Sequence, residues 1–221
     1  MAEQPAPLVP HALFPVALDV AGKPCLVVGG GPVARRKVES LLRCGARVTV
    51  IASEVCAELA TLAPLSFESR PYQSGDVGGF RLVITATGRP DVDGAVAAEA
   101  ERAGIWVNSA DDLEHCSFTL PAVHRDGPVT VAVSTDGASP ALASWLRDRL
   151  GGQIIGAGAL AELLAGARRR LKDAGVSTEL VDWVTLLDGP LPSLVAEGRM
   201  AEAQALLEIG LLPHVERGNL E

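Results

Sequence analysis

The sequence predicts an α/β fold: a parallel β-sheet with helices on its faces, followed by an all-helical C-terminal region. Three observations predict it. Short continuous apolar runs such as Cys25–Val28 read as buried strands. They alternate with stretches whose apolar residues recur at helical spacing, and such repetition builds a parallel sheet. From Gly151 onward the chain is rich in Ala, Leu, Glu and Arg, with helical periods and no strand signal.

Each element follows in order. Residues 1–11 are Pro-rich and read as loose. Two apolar runs flank Ala21-Gly22-Lys23-Pro24, and the second, Cys25–Val28, is the first buried strand. Ala34, Val38, Leu41, Leu42 and Gly45 then mark one face of a helix. Residues 46–53 form a second strand, and residues 80–88 a third after the turn-rich 74–79. Residues 91–104 read as a helix stopped by Gly104, and 105–110 as a further strand. The pattern changes after Asp112. Residues 117–135 read as two strands joined by a turn at Arg125–Pro128. Residues 139–150 read as a helix, with Ser139 as N-cap and Pro140 at the first helical position.

Composition narrows the function classes. With 221 residues and 48% apolar content, the chain has material for a real core. A formal charge of −8 argues against a general nucleic-acid binder, although Arg35-Arg36-Lys37 and Arg168-Arg169-Arg170 form local basic runs. The N-terminus lacks the basic stretch of a secretory signal, and no apolar run is long enough to cross a bilayer. The cysteines Cys25, Cys44, Cys56 and Cys116 form no C-x-x-C pair, which argues against structural zinc and suits a reducing cytoplasm. No metal site is expected.

The most informative stretch is Gly29-Gly30-Gly31-Pro32-Val33-Ala34, between the first strand and the first helix. Its spacing, Gly29-x-Gly31-x-x-Ala34, is the dinucleotide fingerprint in its proper strand-turn-helix context. Gly29 permits a tight turn, Gly31 lets backbone amides of Gly29–Val33 approach a pyrophosphate, and Ala34 lets helix and strand pack closely. The helix N-terminus adds its unpaired amides and its dipole. The sheet is therefore expected to be Rossmann-type, with NAD as cofactor. Ser53 and Glu54, at the end of the second strand, fall where the ribose-reading acid belongs, and no arginine follows for a 2′-phosphate. Thr85 and Thr87 end a later strand; they either touch the cofactor or cap the next helix.

The segment 107–118 carries the densest chemistry. Asp111 and Asp112 follow a strand directly, with Glu114, His115 and Cys116 just after. A carboxylate there reaches the crevice beside a nicotinamide as proton acceptor, or simply caps a helix.

Three separated stretches carry a resemblance: residues 27–52, 107–122 and 129–150. Together they resemble the siroheme synthase N-terminal family of precorrin-2 dehydrogenases, some of which are also sirohydrochlorin ferrochelatases. The resemblance runs from about residue 12 to 150. It implies an NAD-binding domain at 12–112, a dimerisation and substrate segment at 113–150, and a helical C-terminal domain at 151–221. It implies a homodimer that oxidises precorrin-2 to sirohydrochlorin, with Fe²⁺ a further co-substrate where the chain also chelates. The family's N-x-x-D motif falls on Asn108–Asp111, which makes Asp111 the catalytic residue and groups Asn108 with the cofactor. Its serine-rich turn falls on Ser134, Thr135 and Ser139, expected to face the substrate's carboxylates. Here Asp136 replaces the first glycine of that turn. A polyanionic substrate also gives Arg35, Arg36 and Lys37 a use, against their other reading as a solvated helix face.

Two rivals are weighed against this. A short-chain dehydrogenase needs Tyr-x-x-x-Lys, but the single tyrosine is Tyr72 and Asp76 stands at the lysine position. A non-catalytic NAD-sensing module would bind the cofactor and have no use for Asp111.

Overall fold

Cys25–Val28 is apolar at every position because the strand it forms is covered on both faces. In the computed structural model, which describes residues 13–110 and 112–218 and side chains through 212, strand β1 is Pro24–Val28. Cys25 and Val27 pack toward helix α1 (Pro32–Arg43), with Ala34, Val38 and Leu41. Leu26 and Val28 pack to the opposite side, with Val96, Ala97 and Ala100 of helix α3 (Pro90–Arg102). One strand thus feeds two apolar layers, the arrangement of a doubly covered parallel sheet.

The sheet is completed by β2 (Arg47–Ala52), β3 (Leu65–Ser69), β4 (Leu82–Thr85) and β5 (Trp106–Ser109). Its order is β3-β2-β1-β4-β5, all parallel. The chain order reverses between β1 and β4, so a crevice opens at their carboxyl ends, where ligands of such sheets bind. A single helical turn, α2 (Ala57–Ala60), leads to β3. Among the described residues no single helix is long and apolar enough to cross a membrane.

The chain divides into two compact units, Met1–Leu120 and Pro121–Glu221. The second begins with an antiparallel hairpin, β6 (Ala122–Asp126) and β7 (Val129–Val133). Arg125 and Asp126, expected in the turn, are the last residues of β6, so only Gly127 and Pro128 make the connection. Gly127 has φ +54° and lies against Gly158, where an added Cβ would come within 3.2 Å of the Gly158 Cα. Asp126 Oδ2 accepts a hydrogen bond from Gly158 N at 3.1 Å.

Helix α4 (Pro140–Gln153) starts as expected, with Ser139 Oγ accepting from Leu142 N at 3.2 Å. It runs on through Gly151 rather than ending there. The His124 ring of β6 occupies the space of a side chain at 151, with Nδ1 at 2.5 Å from an ideal Cβ. The remaining helices are α5 (Ala157–Asp173), α6 (Trp183–Asp188), α7 (Leu191–Ala196) and α8 (Met200–Gly218). Leu171, Leu191, Val195 and Leu207 form their shared core.

Candidate active site

The three glycines do different jobs. Gly29 has φ +124°, and a Cβ there would lie 2.3 Å from the Ala86 carbonyl oxygen beyond β4. At Gly30 a Cβ would lie 1.9 Å from the Glu54 carbonyl oxygen beyond β2. Gly30 O also accepts from Cys56 N at 2.8 Å. These two positions bring three strand ends into backbone contact. Gly31 has nothing within 4 Å of its Cβ position, so its bare backbone faces open space.

That space is a groove of about 570 Å³ at the carboxyl ends of β1, β2 and β4. Gly29, Gly30, Gly31, Pro32 and Val33 line it on one side, Ser53 and Glu54 at the end of β2, and Thr87 after β4. It fits a dinucleotide in size and in its side-chain-free floor. Helix α1 opens at Gly31 with no acidic residue in its first turn and no side-chain cap. Its first amides and the positive end of its dipole are left for an anion.

The two threonines are placed differently. Thr85 is fully buried, and its hydroxyl donates to Asp93 Oδ1 in the first turns of α3. Thr87 lines the groove, with Oγ1 2.8 Å and N 3.3 Å from the same carboxylate oxygen. Asp93 is itself buried, and its function as receiver of both threonines is not visible in the sequence, where an acid in a first helical turn reads as a cap. The spacing of Thr85, Thr87 and Asp93 across a strand end and a helix start is the signal that was available. Tyr72 stands at the edge of the groove and donates to Glu99 Oε2 at 2.7 Å. Burial, then the Glu99 carboxylate, pushes its hydroxyl well above the usual tyrosine range, so it is no acid-base group at neutral pH.

Asn108 is buried at the end of β5. Its Nδ2 donates to Phe118 O at 3.0 Å, and its Oδ1 has no partner among the described residues. Asp111, expected to be the catalytic residue, lies outside the described residues. Of the basic run on α1, Arg35 pairs with Glu39 at 2.7 Å and Arg36 is exposed. Lys37 lies near enough to the turn after β5 for its charge to act on the Cys116 thiol.

In the second unit, Ser134, Thr135 and Ser139 knit one turn. Thr135 Oγ1 accepts from Ser139 N and donates to Ser139 O, both at 3.1 Å. Ser134 Oγ accepts from Asp136 N at 3.1 Å. Asp136 has φ +48°, a left-handed conformation that aspartate tolerates better than most residues. Asp136→Gly should therefore leave stability within about 1 kcal/mol, whereas Asp136→Ala should lose about 1–2 kcal/mol. Thermal unfolding of the two variants checks this.

Comparison with known proteins agrees with the geometry. A family model described as "Putative NAD(P)-binding" matches residues 16–122. A second, "Sirohaem biosynthesis protein central", matches residues 126–153. The siroheme synthase of Methylococcus capsulatus is 42% identical over 200 residues, covering 88% of this chain and 42% of that one. The siroheme synthase of Thioalkalivibrio sulfidiphilus is 41% identical over 204 residues, covering 90% and 42%. The chain thus spans under half the length of these relatives. A solved structure described as "SirC, precorrin-2 dehydrogenase" shares the fold, with TM-score 0.69 and 24% identity, over 90% of this chain and 98% of that one. With an NAD(P)-binding domain and the sirohaem central segment in consecutive order, the chain belongs to the siroheme synthase N-terminal family.

Proposed function

We propose that the chain oxidises precorrin-2 to sirohydrochlorin with NAD. The observation that carries this reading is the groove at the head of α1, whose glycine floor is closed by backbone at Gly29 and Gly30 and open at Gly31. A bound nicotinamide supplies the acceptor for a hydride. The chain's own residues do the rest. The amides of Gly31–Ala34 hold the diphosphate, apart from Pro32, which has none. Glu54 reads the ribose 2′-hydroxyl, which favours NAD over NADP. Thr87, fixed by Asp93, shapes the groove wall between β4 and α3.

Asp111, two positions past the last residue of β5 in the sequence, is the proposed catalytic residue, which steers the proton or holds the reacting ring of the macrocycle. Ser134 and Ser139 are the proposed hydrogen-bond donors to substrate carboxylates, on a turn that Thr135, expected with them, closes by donating its one hydroxyl hydrogen to Ser139 O, with Arg35, Arg36 and Lys37 as local cations in an acidic protein. We place 12–112 as the cofactor domain, 113–150 as the dimerisation and substrate segment, and 151–221 as the helical domain of a cytoplasmic homodimer. Leu142 and Trp145 on α4, 46% and 55% exposed, are apolar side chains that a second copy would cover.

The test is anaerobic incubation with precorrin-2 and NAD, followed by the absorbance of sirohydrochlorin. The unaltered chain is expected to turn over, and Asp111→Ala to lower kcat by about 10²-fold or more with NAD affinity kept. No spectral change with the unaltered chain overturns the reading. NAD binding without any spectral change leaves only a module that binds NAD, and equal turnover in both chains removes Asp111 from the reaction. Adding Fe²⁺ after the first step tests ferrochelation, which we include as a second activity of the same chain.

A further inference from the structure

The turn after β5 carries a carboxylate–imidazole pair that the nucleotide groove does not use. Asp112 Oδ2 lies 2.6 Å from His115 Nδ1. The second oxygen, Asp112 Oδ1, accepts from Glu114 N at 3.0 Å, so the carboxylate is gripped at both ends. The two side chains are about half exposed, 46% and 50%.

The turn itself is tied to the sheet. Cys116 Sγ accepts from Ser109 N at 3.1 Å and lies 3.1 Å from Asp112 O, to which the thiol donates. Burial pushes that thiol up, so it stays protonated. Ser117 Oγ accepts from Val107 N at 2.7 Å, and Ser117 N donates back to Val107 O at 2.9 Å. The pair is therefore displayed on a rigid support, at the carboxyl edge of the sheet, beside the strand that borders β4.

The His115 hydrogen bond, with burial acting against it, holds the Asp112 carboxyl below the usual carboxylate range. An ionised carboxylate at Nδ1 orients the ring and places its proton there, which leaves Nε2 as a free acceptor. Among the described residues, the other charged or titratable groups in the turn are Glu114 and Cys116, and Lys37 from α1 acts on the Cys116 thiol.

We infer that His115, held by Asp112, accepts the proton released in the oxidation, with Nε2 as the accepting atom. The inference rests on the dehydrogenase reading above. In the step, one C–H bond of the reduced macrocycle breaks and its electron pair leaves as hydride to the oxidised nicotinamide dinucleotide. A second hydrogen leaves as a proton to His115 Nε2, and a new π bond forms in the macrocycle. The substrate loses two electrons, the dinucleotide gains them, and the imidazolium returns its proton to water. Asp112 is a positioning residue.

The test uses the full chain with His115→Ala, His115→Gln and Asp112→Asn. NAD binding and thermal unfolding control for the fold. Both His115 variants are expected to lose about 10²-fold in kcat with NAD affinity kept. Added imidazole should restore at least about 10-fold in His115→Ala, by filling the space with the missing base. Asp112→Asn should lose about 10-fold in kcat with KM unchanged. Full kcat in His115→Ala, or a loss that imidazole does not restore, overturns the proposal and leaves the dehydrogenase reading standing. If the unaltered chain forms no sirohydrochlorin, that reading falls and this one with it.

Discussion

Gly31→Ala should weaken NAD binding at least about 10-fold while leaving the fold intact, and Gly30→Ala should lose binding together with stability. The contrast follows from what surrounds each position. At Gly31 a Cβ meets nothing in the protein, and the backbone, at φ −82°, suits alanine. The methyl group can only stand in the groove, where the diphosphate would lie. At Gly30 the Cβ would sit 1.9 Å from a backbone carbonyl, which no side-chain rotation relieves. Overpacking typically costs about 1–3 kcal/mol, and the upper end applies when the obstacle is backbone. Isothermal titration with NAD, alongside thermal unfolding, separates the two. Unchanged affinity in Gly31→Ala would mean that the groove is not where the dinucleotide binds.

Asp93→Ala should be the most damaging single loss of a polar group, at about 2–4 kcal/mol. It removes the acceptor of the fully buried Thr85 hydroxyl and of Thr87, and it frees the groove wall after β4. Urea unfolding of the variant checks the size. The double substitution Thr85→Val with Asp93→Leu should recover much of the loss, because it removes both partners rather than stranding one. If the single variant matches the unaltered chain, the carboxylate is not holding that corner.

The parts of the fold that could be read from sequence are those with one dominant local signal. The strand Cys25–Val28 announces itself by continuous apolarity, α1 by the spacing of Ala34, Val38 and Leu41, and α4 by Ser139-Pro140. β3 could not be read. It is an edge strand with four of its five residues exposed, so neither alternation nor a run marks it. Nor could α2 be read as an element, since four residues show no period. The C-terminal helices could be read as a region but not one by one, because α6 and α7 have only six residues each.

The site divides the same way. The fingerprint located the groove, since Gly29 and Gly31 act through their own backbones. Glu54 could be placed by counting along β2. The environment of Thr85 could not, because the Asp93 that claims its hydroxyl comes from a helix whose packing is tertiary. The acids after β5 were visible as chemistry, but the Asp112–His115 pair is a geometric fact of a turn with no periodicity. Gly30, between the fingerprint positions, shows no purpose in one dimension. Its reason is the Glu54 carbonyl, 24 residues away.

The glycine-on-glycine joint between the hairpin tip and α5 has a mechanical consequence. With backbone pressed on backbone and Asp126 capping Gly158, there is no layer of side chains to act as a lubricant. A force that tilts the hairpin must therefore rotate α5 as well. The tip, normally the place where a chain most readily accepts extra residues, is here the least able to grow.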